Sequence, residues 1–371
     1  KRQEHYGKIV NQTSVMRQLI NAASKIATIG YEDPEDTDSA LNKAEDIIFQ
    51  IRSGRTIRDF AHIREVLDDY LELSAATADG DLQKSAAAIR TAYPDLDNLL
   101  GGLQRSDLLI LAARPGLGKS SLALNIAHNA ASQGAVVGIF SLEMSREQLG
   151  LRMLSSEASV EGHRLRLKLS GQFDLSSDEE NRLVDAVGVL SGMPIYIDDS
   201  PLASISSIQS KAKRLKTEQG LDLIIVDYLQ LMRGSSNRPE NRVQEVSEIS
   251  RSLKALARDL NVPVLALSQL SRAVEGRPGH EPLLSDLRDS GSIEQDADVV
   301  MFLYRPDVYF TEEEWERQHP GEDYPRGVAD LIVAKHRNGP LGRPQLVFRE
   351  RTTTFVDAVL RDGPAPNMGM F

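Results

Sequence analysis

The sequence contains no cysteine, and this absence removes several classes of protein at once. Disulfide-stabilised scaffolds, zinc ribbons, iron–sulfur proteins and enzymes with a thiol nucleophile all need cysteine. The seven histidines are scattered and include no pair spaced four residues apart, so we do not expect a structural metal site. No run of about 18 apolar residues occurs, which excludes a membrane-spanning helix.

The charge balance and the first residues exclude two further classes. Acidic residues (54) outnumber basic residues (43), and the resulting net charge of -11 argues against a protein that coats DNA non-specifically. A nucleic-acid site confined to one loop or channel is still compatible with this charge. The opening residues, KRQEHYGKIVNQ, lack the apolar core of a secretion signal. Because the chain starts at Lys1 rather than methionine, we expect a processed chain or a fragment.

The N-terminal part of the chain is predicted to be α-helical. Apolar residues at helical spacing cover 8–29 and 38–52, which indicates an α-hairpin. An amphipathic helix is predicted over about 59–75, and the small and polar residues after it indicate a linker. A chain of 371 residues is long for one domain. We therefore expect four parts: a helical region, a linker helix with its linker, a main domain and a flexible tail, at 1–57, 58–90, 91–360 and 361–371.

From about residue 91, short apolar runs alternate with helical patterns. Runs such as LLIL at 108–111 and LIIV at 223–226 have the length of strands. Continuous apolar strands separated by helices predict a mostly parallel sheet covered on both faces, so the fold class is α/β. After Tyr304 we expect the helices to stop, and we expect an antiparallel extension of the sheet with strands at about 328–335, 344–349 and 353–359.

The most informative segment is LLILAARPGLGKSS, in which an apolar strand leads through a glycine loop into a helix. The phosphate-loop pattern has glycine where this chain has Ala113, but Gly116 and Gly118 supply the flexible positions that the turn needs. Lys119 would pair with the β- and γ-phosphates of ATP, and the Ser120 hydroxyl would bind Mg²⁺. A chance glycine turn is the alternative. The predicted nucleotide-binding residues are Ala113, Arg114, Pro115, Gly116, Leu117, Gly118, Lys119, Ser120, Ser121 and Asp227.

Three polar residues follow strands of the predicted sheet, where ligands of such sheets bind. Asp227 ends the run LIIVD and would hold the Mg²⁺ shell through water. Glu143, in FSLEM, is a candidate to orient or deprotonate the attacking water. Gln269, in VPVLALSQ, would sense the γ-phosphate, and an ordinary loop amide is an equal alternative. For Asp227 and Glu143 the alternatives are a helix N-cap or a solvated carboxylate.

Six segments occur in an order and spacing that resemble the bacterial replicative DNA helicase (DnaB) family. They are ARPGLGKSS, FSLEMS, IIVDYLQLM, ISRSLKALARDLNVPVLALSQLSR, LSDLRDSGSIEQDADVVMFLYR and AKHRNGP. The resemblance covers essentially the whole chain and is strongest over 91–359. Residues 1–57 resemble only the second half of the family's helical N-terminal domain, so we expect an N-terminally shortened member.

The resemblance implies a RecA-like P-loop ATPase that works as a ring-shaped homohexamer. It would be an ATP-dependent DNA helicase that uses ATP and Mg²⁺, moves 5′ to 3′ on single-stranded DNA and unwinds forked DNA. Lys335 and Arg337 match trans-acting residues that complete the neighbouring subunit's ATP site. Spacing alone favours a solvated basic edge for these two residues. By resemblance, its partners would be primase and a helicase loader, and no membrane would be involved. It would act in the cytoplasm, at the replication fork.

The DNA-contacting loop is expected within 270–296, a segment that we expect to be structureless and that is rich in serine, glycine, proline and charge. By resemblance, Arg288, Asp289 and Gly291 match the positions that hold single-strand phosphates in the central channel. The family more often has glutamate at the position of Asp289. We expect Trp315 to lie in a surface insertion without a function.

Two other functions stay open on the sequence. A RecA-type recombinase shares the predicted core and builds open filaments. An ATP-gated scaffold or loading factor would turn over little ATP, and Glu143 argues against it because a pure switch needs no catalytic carboxylate. The helix predicted at 59–75 matches the family's linker helix, which would dock on the adjacent subunit or within its own chain.

Overall fold

The structure is a computed structural model of the whole chain. It describes residues 2–31, 88–200, 204–232, 242–287 and 291–358, with separate positions at 40, 44, 47, 62–64, 67 and 68. Most of the helices predicted over 38–52 and 59–75, together with Arg288, Asp289 and the tail at 361–371, lie outside the described residues. The chain divides into two compact units: Lys1–Ala86 with Gln209–Lys211, and Ala87–Ile208 with Ala212–Phe371.

The first unit contains a long helix, α1, at Arg2–Tyr31. The prediction of a helix over 8–29 is therefore confirmed. Along α1, the side chains of Met16, Leu19 and Ile20 are exposed in this chain. Among the described helices, none combines the length and the apolar composition needed to cross a bilayer.

The second unit alternates strands and helices. Its elements in chain order are α2 Pro94–Leu100, β1 Leu108–Ala113, α3 Lys119–Ser132, β2 Val137–Ser141, α4 Arg146–Ala158, α5 Gly162–Leu169, α6 Ser177–Ser191, β3 Ile195–Asp198, α7 Ile205–Glu218, β4 Leu223–Asp227, α8 Arg242–Leu260, β5 Val264–Gln269, α9 Gly291–Asp296, β6 Val299–Tyr304, α10 Pro306–Tyr309, α11 Glu312–Gln318, β7 Val328–His336, β8 Gln345–Arg349 and β9 Thr354–Asp357.

The strands of the described residues form one sheet in the order β3-β2-β4-β5-β1-β6-β7-β8-β9. The pairs from β3 to β6 are all parallel. The pairs from β6 to β9 are antiparallel. This confirms the predicted α/β class with a mostly parallel sheet and an antiparallel extension. Strand β1 lies in the middle of the sheet, between β5 and β6.

Alternate residues of β1 pack into two different hydrophobic clusters. Leu109 and Leu111 belong to the cluster on one face of the sheet, and Leu108 and Ile110 belong to the cluster on the other. Each of the four side chains is at most 1% exposed. Because both faces are covered, every residue of the strand must be apolar, and this explains the continuous run LLIL.

Two expectations about irregular segments are wrong. Helices continue after Tyr304 as the short α10 and α11, because Pro306 opens one and the Thr311 hydroxyl caps the other by accepting from Glu314 N. The segment 270–296 is not structureless either. It contains 3-10 turns at Arg272–Gly276 and Leu284–Asp286, and Gly291 begins α9.

Candidate functional site

The glycine loop lies at the carboxyl end of β1 and leads directly into α3. Ala113, the last residue of β1, pairs with Gln269, the last residue of β5. Gly116 and Gly118 have φ values of 83° and 101°, whereas Ala113 does not have a positive φ. The expectation that the turn tolerates alanine at 113, with the strained positions held by the two glycines, is therefore confirmed.

A cleft of about 290 Å³, here called the phosphate-loop cleft, surrounds this turn. It brings together most of the predicted site residues, although they come from separate segments of the chain. Its predicted members are Ala113, Arg114, Pro115, Gly116, Gly118, Lys119, Ser120, Ser121, Glu143 and Gln269. Leu117 does not line the cleft, because its side chain is buried in the core at 2% exposure.

Lys119 and Asp227 form an ion pair beside the loop. Lys119 Nζ lies 3.4 Å from Asp227 Oδ1 and 4.4 Å from the centre of the Tyr228 ring. Burial lowers the pKa of Lys119, and the charges of Asp227 and Glu143 oppose that shift. The two carboxylates therefore help to keep a largely buried lysine charged.

Asp227 Oδ1 is buried and accepts no hydrogen bond within the described residues. A desolvated carboxylate oxygen that has only an ion-pair contact can accept from a water molecule of a hydrated cation. No group of three or more acidic, histidine or cysteine residues among the described residues could hold a metal by itself. Mg²⁺ in such a place would depend on one carboxylate, one hydroxyl and substrate phosphates, which is how proteins commonly hold it. These residues fit the ion.

Glu143 and Gln269 reach the cleft from the ends of two strands. Glu143 lies two residues beyond β2 and has an exposed side chain in the cleft. Gln269 donates its backbone N–H to Gln230 Oε1 at 3.3 Å, and Gln230 Nε2 donates to the Ser268 hydroxyl at 2.8 Å. The end of β5 is therefore fixed by hydrogen bonds to the segment that follows β4.

The cleft is also lined by five residues that the sequence did not point to: Met144, Arg152, Tyr228, Phe348 and Thr353. Burial lowers the pKa of Arg152, and the charge of Asp227 opposes that shift. Arg152 lies on α4, and Phe348 and Thr353 belong to the antiparallel extension, so the phosphate-loop pattern covers none of them. Tyr228 directly follows Asp227, so the sequence at the end of this strand could have indicated it as a site residue.

Lys335 and Arg337 lie at the opposite end of the sheet from the phosphate loop. Lys335 Nζ donates to the carbonyl oxygens of Glu294, Gln295 and Ala297, and Arg337 donates to that of Gln295. Both cations therefore cap the carboxyl end of α9.

The contacts of Asp298 show how far Lys335 and Arg337 lie from the phosphate loop. Arg337 Nη1 lies 3.6 Å from Asp298 Oδ1, and Asp298 Oδ2 accepts from the backbone N–H of Leu108, the first residue of β1. The phosphate loop follows the last residue of the same strand, about 17 Å away at 3.3 Å per residue. Within one chain, Lys335 and Arg337 are thus not part of the phosphate-loop cleft.

Comparison with known proteins identifies the family. The model of the DnaB-like helicase C-terminal domain matches residues 88–357. The replicative DNA helicase DnaB of Geobacillus stearothermophilus is 45% identical over 358 residues, which cover 95% of this chain and 74% of that protein. The chain belongs to the DnaB family of replicative DNA helicases. As a member of the DnaB family, it is an ATP-dependent DNA helicase, and the recombinase and scaffold alternatives are set aside.

Two solved structures agree with the DnaB-family fold. One of them, described as an ATPase domain, has a TM-score of 0.70 at 33% identity and covers 81% of this chain and 99% of that one. A DnaB-like replicative helicase, described with its interactions with primase, has a TM-score of 0.74 at 29% identity and covers 95% of this chain and 78% of that one. The main domain is therefore a RecA-like α/β ATPase, and nucleotide use follows from this.

Proposed function

We propose that this helicase binds ATP in the phosphate-loop cleft and uses the energy of hydrolysis to move 5′ to 3′ along single-stranded DNA. The observation that carries the proposal is the convergence of Lys119, Glu143 and Gln269 on one cleft at the carboxyl end of β1. The backbone N–H groups of the loop and of the α3 N-terminus would hold the phosphates, and Lys119 would pair with their charge.

Ser120 and Asp227 would hold Mg²⁺ beside the phosphates. When bound, the ion neutralises charge that develops on the phosphoryl oxygens. Asp227 Oδ1 supports this assignment, because it is buried and its one contact among the described residues is the ion pair with Lys119. The ion pair of Lys119 with Asp227 would then weaken in favour of the nucleotide, because two cations would share the region of one carboxylate.

Glu143 would accept a proton from the attacking water, and Gln269 would hydrogen-bond to the γ-phosphate. The exposure of Glu143 in the cleft supports its role, because a general base must reach a water molecule. Arg152 adds a further positive charge to the cleft wall, where it would contact the nucleotide phosphates.

Lys335 and Arg337 would act on the ATP of the neighbouring subunit in a homohexameric ring. Their place at the opposite end of β1 from the phosphate loop is consistent with this, because it leaves them out of their own chain's site, so that any action on ATP would be on that of another copy. To reach that site they must leave the carbonyl oxygens of α9. Since α9 begins at Gly291, ATP at an interface would in this way affect the segment proposed to contact DNA.

Arg288, Asp289 and Gly291 would hold the phosphates of single-stranded DNA in the channel of the ring. Six copies of Arg288 around one channel would reconcile an acidic protein with DNA binding at that place. Primase and a helicase loader are the proposed partners, and the cytoplasm at the replication fork is the proposed location. One structural neighbour is described with primase interactions, which supports the first partner. The division at 57/58 and 90/91 stays a prediction.

The test is unwinding of a forked duplex with a loading tail at either the 5′ or the 3′ end. We expect ATP-dependent unwinding that needs the 5′ tail and that is lost in Lys119→Ala. Unwinding from a 3′ tail would contradict the polarity. Unwinding by Lys119→Ala at the normal rate would contradict the assignment of the ATP site.

A further inference from the structure

A second cleft lies apart from the ATP site, at the carboxyl end of β6. Its volume is about 510 Å³, which is larger than that of the phosphate-loop cleft. We call it the aromatic cleft, because five of the side chains that line it are rings: Tyr304, Phe310, Trp315, His319 and Tyr324. None of its lining residues belongs to the phosphate-loop cleft. Nothing in the helicase mechanism uses it.

The tyrosine hydroxyls of the aromatic cleft are bonded within the protein. Tyr304 donates to the Gly279 carbonyl at 2.6 Å, and Tyr324 donates to the Phe310 carbonyl at 2.8 Å. Trp315 stacks on His319, with ring centres 4.0 Å apart. The two tyrosines therefore offer no free hydroxyl to a ligand, and the cleft wall is rich in aromatic rings, whose faces carry partial negative charge.

Carboxylates dominate the charge of the aromatic cleft. Glu281, Glu322, Asp323 and Asp330 line it, and Arg343 is the one lysine or arginine among its described lining residues. Arg343 is shared between Glu281 and Asp330, at 2.9 Å from each. Glu322 and Asp323 have no side-chain hydrogen bond or ion pair within the described residues. A phosphate group would be repelled here, so the cleft is not a second nucleotide or DNA site.

We propose that the aromatic cleft binds an arginine side chain of a partner protein. A guanidinium is planar, stacks on aromatic faces and pairs with carboxylates, so it matches both properties of the cleft. The chain already shows this arrangement, because Arg343 Cζ lies 5.8 Å from the centre of the Tyr304 ring while its nitrogens bind two carboxylates. Glu322 and Asp323 provide the charge for a second guanidinium.

A peptide fits better than a small polyamine. A polyamine carries only ammonium point charges, whereas the planar guanidinium of arginine both stacks on aromatic rings and pairs with carboxylates. The excess of negative charge on the whole chain also favours a basic partner.

Trp315 makes the test direct, because it is the single tryptophan of the chain and its fluorescence reports on this cleft. The full chain is titrated with a blocked Gly-Arg-Arg-Gly peptide while tryptophan emission is recorded. We expect a saturable change whose affinity falls with salt. The double variant Glu322→Gln/Asp323→Asn should bind at least tenfold more weakly. The matched control, Glu312→Gln/Glu313→Gln, changes two carboxylates of α11 outside the cleft and should bind normally.

Further arms separate the possible occupants. The matched Gly-Lys-Lys-Gly peptide and spermidine should bind more weakly than the arginine peptide, and basal ATP hydrolysis should be unchanged in both double variants. Equal binding of the lysine peptide or of spermidine would overturn the proposal. So would an unchanged affinity in Glu322→Gln/Asp323→Asn, or the absence of any emission change with the arginine peptide. An emission change with protein concentration alone would assign the cleft to a second copy of the chain instead.

Discussion

Replacing Gly118 by alanine tests how the phosphate loop is held in place. Gly118 and Gly116 both have positive φ values, but their surroundings differ. A Cβ added at Gly118 would lie 2.9 Å from Cζ and 3.0 Å from Cε2 of Phe355, whereas a Cβ at Gly116 would meet nothing within 4 Å. The two glycines are therefore a matched pair that separates backbone strain from steric overlap.

The expected free energies follow from these two causes. Positive φ costs an alanine roughly 1–2 kcal/mol at either position. Overlap with Phe355 adds about 1–3 kcal/mol at Gly118, because Phe355 is only 3% exposed and packs on Phe348 with ring centres 4.7 Å apart. Gly118→Ala should therefore lower the free energy of unfolding by roughly 2–5 kcal/mol, and Gly116→Ala by only about 1–2 kcal/mol.

Urea unfolding of both variants measures this difference. The variant Phe355→Leu completes a double-mutant cycle, and in its background Gly118→Ala should cost little more than Gly116→Ala does. Equal losses for the two alanine variants would refute the steric argument. A coupling energy near zero between positions 118 and 355 would refute it too.

Three other predictions concern charge. Burial, followed by the charge of Asp298, raises the pKa of Asp107 from its ordinary 3.8 to about 6. The folded chain then holds this proton more tightly than the unfolded chain, so the contribution of Asp107 to the free energy of unfolding falls as pH rises from about 4 to 6. In urea unfolding, Asp107→Asn should remove about 1 kcal/mol of that pH dependence. An unchanged pH dependence would contradict this prediction. Glu143→Gln should bind ATP normally but hydrolyse it at least about 100-fold more slowly. The control Glu147→Gln, on the exposed face of α4, should bind and hydrolyse ATP normally. Weaker ATP binding with normal turnover in Glu143→Gln would exclude the assigned role. Arg337→Ala should regain part of its ATPase rate when mixed with Lys119→Ala, because each variant keeps what the other lacks; no recovery in mixed rings would show that the residue acts within its own chain.

The strands were predictable because each of the central ones is buried on both sides. Most positions there need apolar residues, and the run LIIV falls within β4 at Leu223–Asp227. The short helices after Tyr304 were missed because a helix of four to seven residues has too few turns to show apolar periodicity. Their signals were local instead: a proline at the start of α10 and a Thr311–Glu314 capping box at α11.

The phosphate loop was predictable because it is one continuous segment between a strand and a helix. The remaining wall of the cleft was not, since it consists of single side chains from distant segments. Arg152 comes from α4, and Phe348 comes from the antiparallel extension. These residues meet only because the order of the strands brings them to the same end of the sheet, and spacing along the chain carries no record of that order.

The contacts of Lys335 and Arg337 could not be predicted from spacing along the chain either, and they have a consequence for the mechanism. Spacing favoured a solvated basic edge, but both side chains have acceptors at the carboxyl end of α9. Hydrogen bonds from charged donors to such carbonyls contribute about 1.5–3 kcal/mol each. A trans-acting cation would give up this energy unless a stronger acceptor, such as a phosphate, replaced the carbonyl. Exchange between α9 and the neighbouring subunit would therefore depend on bound nucleotide, because the nucleotide shifts the equilibrium towards the released cations.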